Sequence, residues 1–258
     1  MPDIITLLAV LLVLAIVYFA LRKPPPARQS PAEVQRAILE EHITFYQQLS
    51  NTEKERFAAA VRRFLSKVRV TGVNTEVEPI DEVFVAAAAI IPIFAFKDWE
   101  YKDINEVLLY PVHFSKDFRQ DGDGRNVLGM VGTGAMEDIM ILSRQELRNG
   151  FFNKTGRSNT AIHEFVHIID KMDGDTDGWP EALLPYAYAR PWLQHIYHDI
   201  RRVRAGKTDI DPYGATSEAE FFAVVSEYFF KQPERMQDKH PELYKLLNDI
   251  FTPGTAGV

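Results

Sequence analysis

The chain has 258 residues, 46% of them hydrophobic and 25% charged, the balance of a folded protein and not of a disordered or fibrous one. It contains no cysteine, which excludes disulfide scaffolds, thiolate metal sites and cysteine nucleophiles and leaves His, Asp and Glu as metal donors. The formal net charge of −7 speaks against a general affinity for nucleic acid, which needs a basic footprint.

Ile4 to Leu21 reads IITLLAVLLVLAIVYFAL, in which only Thr6 is not apolar and nothing is charged. As a helix this run spans about 27 Å, close to the hydrocarbon thickness of a bilayer. A cleaved signal peptide needs a basic start and a small-residue cleavage site; Met1-Pro2-Asp3 is acidic and the run ends without Ala-x-Ala. The expectation is a single transmembrane anchor over residues 1–23. Arg22 and Lys23 hold the rest of the chain on the cytoplasmic side of a bacterial-type inner membrane. Residues 24–31 read as a proline-rich, extended linker. Residues 32–251 are expected to form one domain, with 252–258 as a flexible tail.

Ala32 to about Leu49 has helical periodicity, and Thr52 with Glu55 marks a second helix as a capping box. Val68 to Val73 reads as a short β-segment. Asp81 to Ile91 reads as a buried helix stopped by Pro92, its four alanines allowing close packing. Glu106–Tyr110, Val127–Val131 and Asp138–Leu142 read as strands, with Gly129, Gly132 and Gly134 as turn punctuation. Asp121-Gly-Asp-Gly reads as a turn, since it lacks the later ligands of a calcium loop. Helices are expected from Asn159 to Lys171, from Pro191 to Ala205 and from Ser217 to Phe230, and the tail is helical to about Phe251.

His163-Glu164-Phe165-Val166-His167 is H-E-x-x-H on one of these helices. Histidines at i and i+4 lie one turn apart on one face, so both imidazoles can reach a single ion. Two histidines plus a carboxylate leave a fourth tetrahedral position open, the pattern of catalytic zinc. Glu164 is then placed as general base toward water activated by the metal. The flanking Ile162, Phe165, Val166, Ile168 and Ile169 bury the helix, where a His-Glu-His group without a ligand would be costly. A third donor could be Asp173, ten residues after His163, although the glycine such a turn needs is replaced by Asp170. It could also be Glu218, Glu220 or Glu227 on the later apolar helix. Glu220 and Glu227 are seven apart and share a face, while Glu218 suits the helix dipole. His195 and His198 read as surface residues, and His42, His113 and His240 are isolated.

The stretch from His163 to His167, Tyr213, Ala219-Glu220-Phe221-Phe222-Ala223-Val224 and Ser226-Glu227-Tyr228-Phe229-Phe230 resembles the family of Mlc titration factor A. These are zinc-dependent peptidases of the gluzincin type. The Tyr-x6-Glu-Phe-Phe arrangement is also similar to the catalytic domain of anthrax lethal factor. The likeness extends over the soluble region, including Leu109-Tyr110-Pro111 and Asp173-Gly174-Asp175. It implies one zinc ion on His163, His167 and Glu220, Glu164 as general base and Tyr213 as donor to the tetrahedral oxyanion. Glu227 and Asp170 would orient the ligands. The implied fold is α+β, a zincin-like domain with a small twisted sheet over the His163 helix, the Glu220 helix alongside and the helical pair at 32–66 on one side.

The expected function is zinc-dependent hydrolysis of peptide bonds, with an aminopeptidase preference implied by the resemblance alone. An extended peptide would add to an exposed sheet edge. The alternative is a regulatory binding protein that sequesters a transcriptional repressor at the membrane, since the family includes a repressor-binding member. A structural zinc domain is the weakest reading, because Glu164 stands where a base would. The expected partners are a peptide or protein substrate, a transcriptional regulator and the membrane, and not nucleic acid.

Overall fold

The computed structural model describes residues 31–96, 99–102, 104–113, 128–131, 138–181, 183 and 189–252. The apolar run Ile4–Leu21, most of the linker, the Asp121 turn and the tail beyond Thr252 lie outside the described residues. Among those described, no helix is long and apolar enough to cross a membrane. Residues 34–258 cluster as one compact unit.

The first periodic stretch is two helices, α1 (Pro31–His42) and the short α2 (Thr44–Gln47). The break is Ile43, which takes an extended conformation and is fully buried. Helix α3 (Asn51–Lys67) has its N-cap two residues before the expected one, Thr52. Its N-cap is Ser50, whose hydroxyl accepts from the Glu53 N–H while Glu53 Oε2 accepts from the Ser50 N–H at 2.9 Å. Ser50-x-x-Glu53 satisfies the same pattern as Thr52-x-x-Glu55 and comes first in the chain. Glu55 instead pairs with Arg36 of α1 at 2.8 Å.

Strand β1 (Arg69–Gly72) leads to α4 (Pro79–Ile93), which is buried on nearly every side. Ala86, Ala87, Ala88 and Ala89 are fully buried, their small side chains letting neighbouring helices approach. Pro92 does not stop this helix but lies inside its last turn. So near the end, its missing N–H removes a single intrahelical bond.

The strands β2 (Glu106–Tyr110), β3 (Gly129–Val131) and β4 (Ile139–Ser143) complete a four-stranded sheet of order β1-β2-β4-β3. The expected three-stranded sheet therefore gains β1, which pairs with β2 in parallel, Val70 opposite Val107. Strand β2 pairs with β4 in parallel, and β3 closes the edge antiparallel to β4. The alternation of side chains sends Val107, Leu109, Met140 and Leu142 into the main core. Tyr110 and Ile141 form a small cluster on the other face with Leu108 and Ile139.

Helix α5 (Arg144–Phe152), which the sequence patterns do not announce, follows β4 directly. Ser143 is at once the last residue of the strand and the N-cap, its hydroxyl accepting from Glu146 N–H. Two arginines of α5 converge on Asp81, the N3 residue of α4, which is fully buried. Asp81 accepts from Arg144 Nε at 2.9 Å, from Arg148 Nε at 2.7 Å and from the Glu78 N–H at 2.9 Å. Glu78 adds a second carboxylate to both guanidinium groups. The start of α4 is thereby fixed to α5.

Helices α6 (Thr160–Asp170), α7 (Ala189–Arg204) and α8 (Glu218–Lys231) follow, then α9 (Pro233–Lys239) and α10 (Pro241–Phe251). The helical tail is thus two helices, each opened by a proline at its first turn, where the absent N–H costs nothing. Helix α6 lies against α4, β3 and α8. Ala161, Ile162, Phe165, Val166 and Ile169 of α6 and Phe221, Phe222 and Val225 of α8 carry the core between them.

Candidate metal centre

Asn159 caps α6, its side-chain oxygen accepting from Ile162 N–H at 3.2 Å. Ser217 caps α8, its hydroxyl accepting from Glu220 N–H at 3.2 Å. These two caps set the first turns of the facing helices, and those turns hold His163 and Glu220. The structure brings His163 Nε2 to 2.9 Å from Glu220 Oε2 and 3.1 Å from His167 Nε2, and His167 Nε2 to 3.4 Å from Glu220 Oε2. Donors held about 2.0–2.2 Å from a tetrahedral ion sit about 3.3 Å from one another, so the three atoms form one face of such a tetrahedron. They are the one group of three or more His, Asp or Glu donors among the described residues that could hold a metal ion.

The surroundings favour a cation. Glu227, buried in α8, accepts from the Asn159 backbone N–H and meets His163 Nδ1 at 2.6 Å. A proton on Nδ1 leaves the Nε2 lone pair facing the trio. The carboxylates of Glu164, Glu220 and Glu227 thus surround two imidazoles. Burial opposes charge on His163, yet Glu220 and Glu227 hold its pKa up to about 10. Burial would raise Glu220, but the two histidines hold it well below the usual carboxylate range. A divalent ion among these donors would satisfy the same field.

Glu164 is buried, and that burial raises its pKa against the lowering influence of His163 and His167. The residue that shapes its surroundings is Gly129 on the edge strand β3. A β-carbon there would lie 2.7 Å from Glu164 Oε1 and 2.9 Å from the Thr160 methyl. Gly129 is therefore a site of close approach between strand and helix and not turn punctuation; a glycine inside a strand pattern was the available signal. Gly129→Ala is expected to displace the Glu164 carboxylate and lower any hydrolysis that relies on it at least tenfold, with secondary structure unchanged by circular dichroism. Activity within twofold of the parent would show that this approach is not needed.

Tyr213 sits in a 3-10 turn, Pro212–Ala215, between α7 and α8. Asp211 Oδ1 accepts from its N–H at 2.9 Å and the Thr216 hydroxyl donates to its carbonyl at 2.6 Å. The ring centroid is 6.0 Å from that of His163, and 55% of the residue is exposed. Partial burial and the Glu220 carboxylate push the phenol up to about 12, so it remains a donor.

Asp170 does not bond a member of the trio. It is fully buried, and its Oδ2 accepts from Gly178 N–H at 2.9 Å, while Oδ1 has no hydrogen-bond partner among the described residues. Burial pushes its pKa up to about 7, with nearby His167 lowering it. Gly178 has φ +78, donates to Asp170 and accepts from Trp192 Nε1 at 2.7 Å. Asp170 thus fixes the loop that seats the start of α8.

Asp173 is exposed and turned to its own loop, accepting from Asp175 N–H at 3.1 Å. Glu218 is the first residue of α8 and not one of the trio. His195 lies 3.8 Å from Glu242, and His198 lies 3.1 Å from Asp199. His113 pairs with Glu146 and His240 with Asp209, while His42 stands edge-on to Phe84 and Phe152.

A helix with two histidines one turn apart and a glutamate between them, a carboxylate from a second helix and a small mixed sheet above define a metallopeptidase class. The chain belongs to the glucose-regulated metallo-peptidase M90 family, whose model matches residues 20–252. It is 30% identical over 228 residues to the uncharacterized protein slr2042 of Synechocystis sp., covering 84% of this chain and 82% of that one. It is 28% identical over 227 residues to Mlc titration factor A of Pectobacterium atrosepticum, covering 79% and 80%. The Mlc titration factor A of Klebsiella pneumoniae subsp. pneumoniae is 28% identical over 214 residues, covering 76% and 78%.

Proposed function

We propose that this chain is a zinc-dependent peptidase of zincin-like fold, with His163, His167 and Glu220 holding the ion. The observation that carries the reading is the tetrahedral face formed by their three donor atoms, with Glu164 in the intervening turn. A zinc ion there supplies Lewis acidity, acidifying water and polarising a carbonyl. The protein groups do the rest. Glu164 takes the proton of the attacking water and passes it to the leaving amine. Tyr213, a neutral phenol fixed by its turn, donates to the oxyanion as it forms. Glu227 fixes the His163 ring through Nδ1. The edge strand β3, antiparallel to β4 and directly over Glu164, offers backbone groups to an extended peptide. An aminopeptidase preference remains part of this proposal through family likeness alone.

The ligand assignment is tested by metal analysis of Glu220→Ala and Asp173→Ala. The first is expected to lose at least tenfold in zinc affinity and the second to keep the parent value. The reverse result would move the third ligand to Asp173.

The apolar run Ile4–Leu21 lies almost wholly before the matched stretch, which begins at residue 20. It supports a second element of the proposal, a single-pass anchor with the peptidase domain on the cytoplasmic side. Fractionation of the full chain and of residues 24–258 checks this: only the full chain is expected to sediment with membranes and to resist alkaline extraction. A soluble full chain would refute it.

The relatives' name, Mlc titration factor A, favours one second reading, a binding protein that sequesters a transcriptional regulator at the membrane. Capture of a regulator by the Glu164→Gln chain, with no cleavage of that regulator by the parent, would favour binding over hydrolysis.

A further inference from the structure

A cavity of about 330 Å³ opens beside α3, away from the residues of the metal centre. Its volume is at the lower end of the range for small-molecule sites. Phe64 of α3, Ile90 and Ile93 of α4, and Phe94, Trp99 and Tyr101 beyond it supply apolar walls. The Tyr101 hydroxyl donates to Ala89 carbonyl at 2.8 Å, so the phenol's polar end is satisfied and the ring faces the cavity wall.

The mouth has the opposite character. Arg56, Arg63 and Lys67 of α3 border it, and among the described residues that line it Glu100 is the one carboxylate. Glu100 pairs with Arg63 at 3.3 Å and with Lys67. Arg56 lies over the Phe94 ring, 4.0 Å from its centroid, and pairs with no carboxylate within 4.0 Å among the described residues. In a chain of net charge −7, the described residues at the opening of this apolar cavity therefore carry a local excess of positive charge.

We propose that this cavity binds an amphipathic anion, an acyl chain bearing a carboxylate or phosphate head. The chain lies among Phe64, Ile90, Phe94 and Trp99, each buried methylene strengthening binding about fourfold. The head meets Arg56, Arg63 and Lys67 through charge-assisted hydrogen bonds. A neutral apolar ligand leaves the basic mouth unused, and a cationic amphiphile is repelled by it. Phe64 and Tyr101 also pack on Phe165, with ring centroids 5.8 and 5.2 Å apart. The occupant thus touches the two rings that support the helix residue next to Glu164.

The test uses the full chain and decanoate below its self-association concentration, followed by calorimetry and by quenching of Trp99 with a terminally brominated decanoate. Saturable binding is expected, with decanol and decylammonium about tenfold or more weaker. Trp99→Phe should remove the quenching while calorimetric binding remains saturable, weakened by less than about tenfold, which separates this cavity from the apolar N-terminus. Ala60→Phe, which fills the cavity, should abolish the quenching. The exposed pair Arg56→Gln and Lys67→Gln should weaken decanoate about tenfold and leave decanol unchanged. That surface pair carries the test if Ala60→Phe does not fold. Equal affinity for all three amphiphiles, or undiminished binding by the surface pair, would overturn the proposal. Decyl phosphate and phosphatidylglycerol vesicles, followed by mass spectrometry of the repurified protein, distinguish a free amphiphile from a bilayer lipid as the source. Retention of none of these ligands would also overturn it.

Discussion

Glu164→Gln is expected to keep the zinc content of the parent and to lower kcat for peptide hydrolysis by about two to four orders of magnitude. The amide fills the volume of the carboxylate under Gly129, so β3 and α6 keep their approach. The three donor atoms lie on other residues, so the ion should stay. What disappears is an acceptor for the water proton. Metal analysis and single-turnover cleavage of a peptide library, with and without chelator, check both halves. An undiminished rate would remove Glu164 from the chemistry, and lost zinc would make it part of the ion's support.

The largest stability effect is expected at Asp81→Ala, far from that chemistry. It should cost about 3–5 kcal/mol, because it leaves two guanidinium groups without their buried partner. Asp81 is fully buried and accepts from both Arg144 and Arg148 while capping the start of α4. Glu78 pairs with both arginines but is about half exposed and replaces little of that contact. An exposed control, Glu55→Ala, breaks the ion pair with Arg36 and should cost under about 1 kcal/mol. Urea unfolding of the two variants is the measurement. Equal losses would mean that the buried cluster does no more than a surface pair.

The centre was readable where it depended on helical spacing. His163, Glu164 and His167 lie within five residues, and one turn of helix brings the imidazoles together whatever else the chain does. Glu220 and Glu227 were readable as a pair because seven residues make two turns, about 10 Å. The structure shows what that distance accommodates. The His163 ring lies between them, with Nε2 toward Glu220 and Nδ1 toward Glu227. Glu218 lacks that face. Choosing among the three from the residues alone was not possible, because α6 and α8 meet through contacts more than fifty residues apart.

The unread parts share that cause. Strand β1 joins the sheet through parallel pairing with β2, and no local pattern specifies its partner. Helix α5 has only nine residues and begins where β4 ends, so its periodicity is cut short. Asp81 looks like an ordinary first-turn acid until the arginines 63 and 67 residues later arrive. Two capping-box patterns, Ser50-x-x-Glu53 and Thr52-x-x-Glu55, overlap at the start of α3, and spacing alone does not rank them.

One carboxylate has a thermodynamic consequence. Glu227 bonds the backbone at the start of α6 with one oxygen and the His163 ring with the other. The strength of the first helical turn and the aim of His163 Nε2 are therefore a single variable. In the proposed centre, ion capture would not have to organise this helix, so little ordering entropy would oppose loading. Conversely, any opening of the first turn of α6 that breaks the Glu227 contact would also release the His163 ring from its bearing. In the proposed zinc centre, Glu227 would thereby link ion occupancy to the stability of this turn.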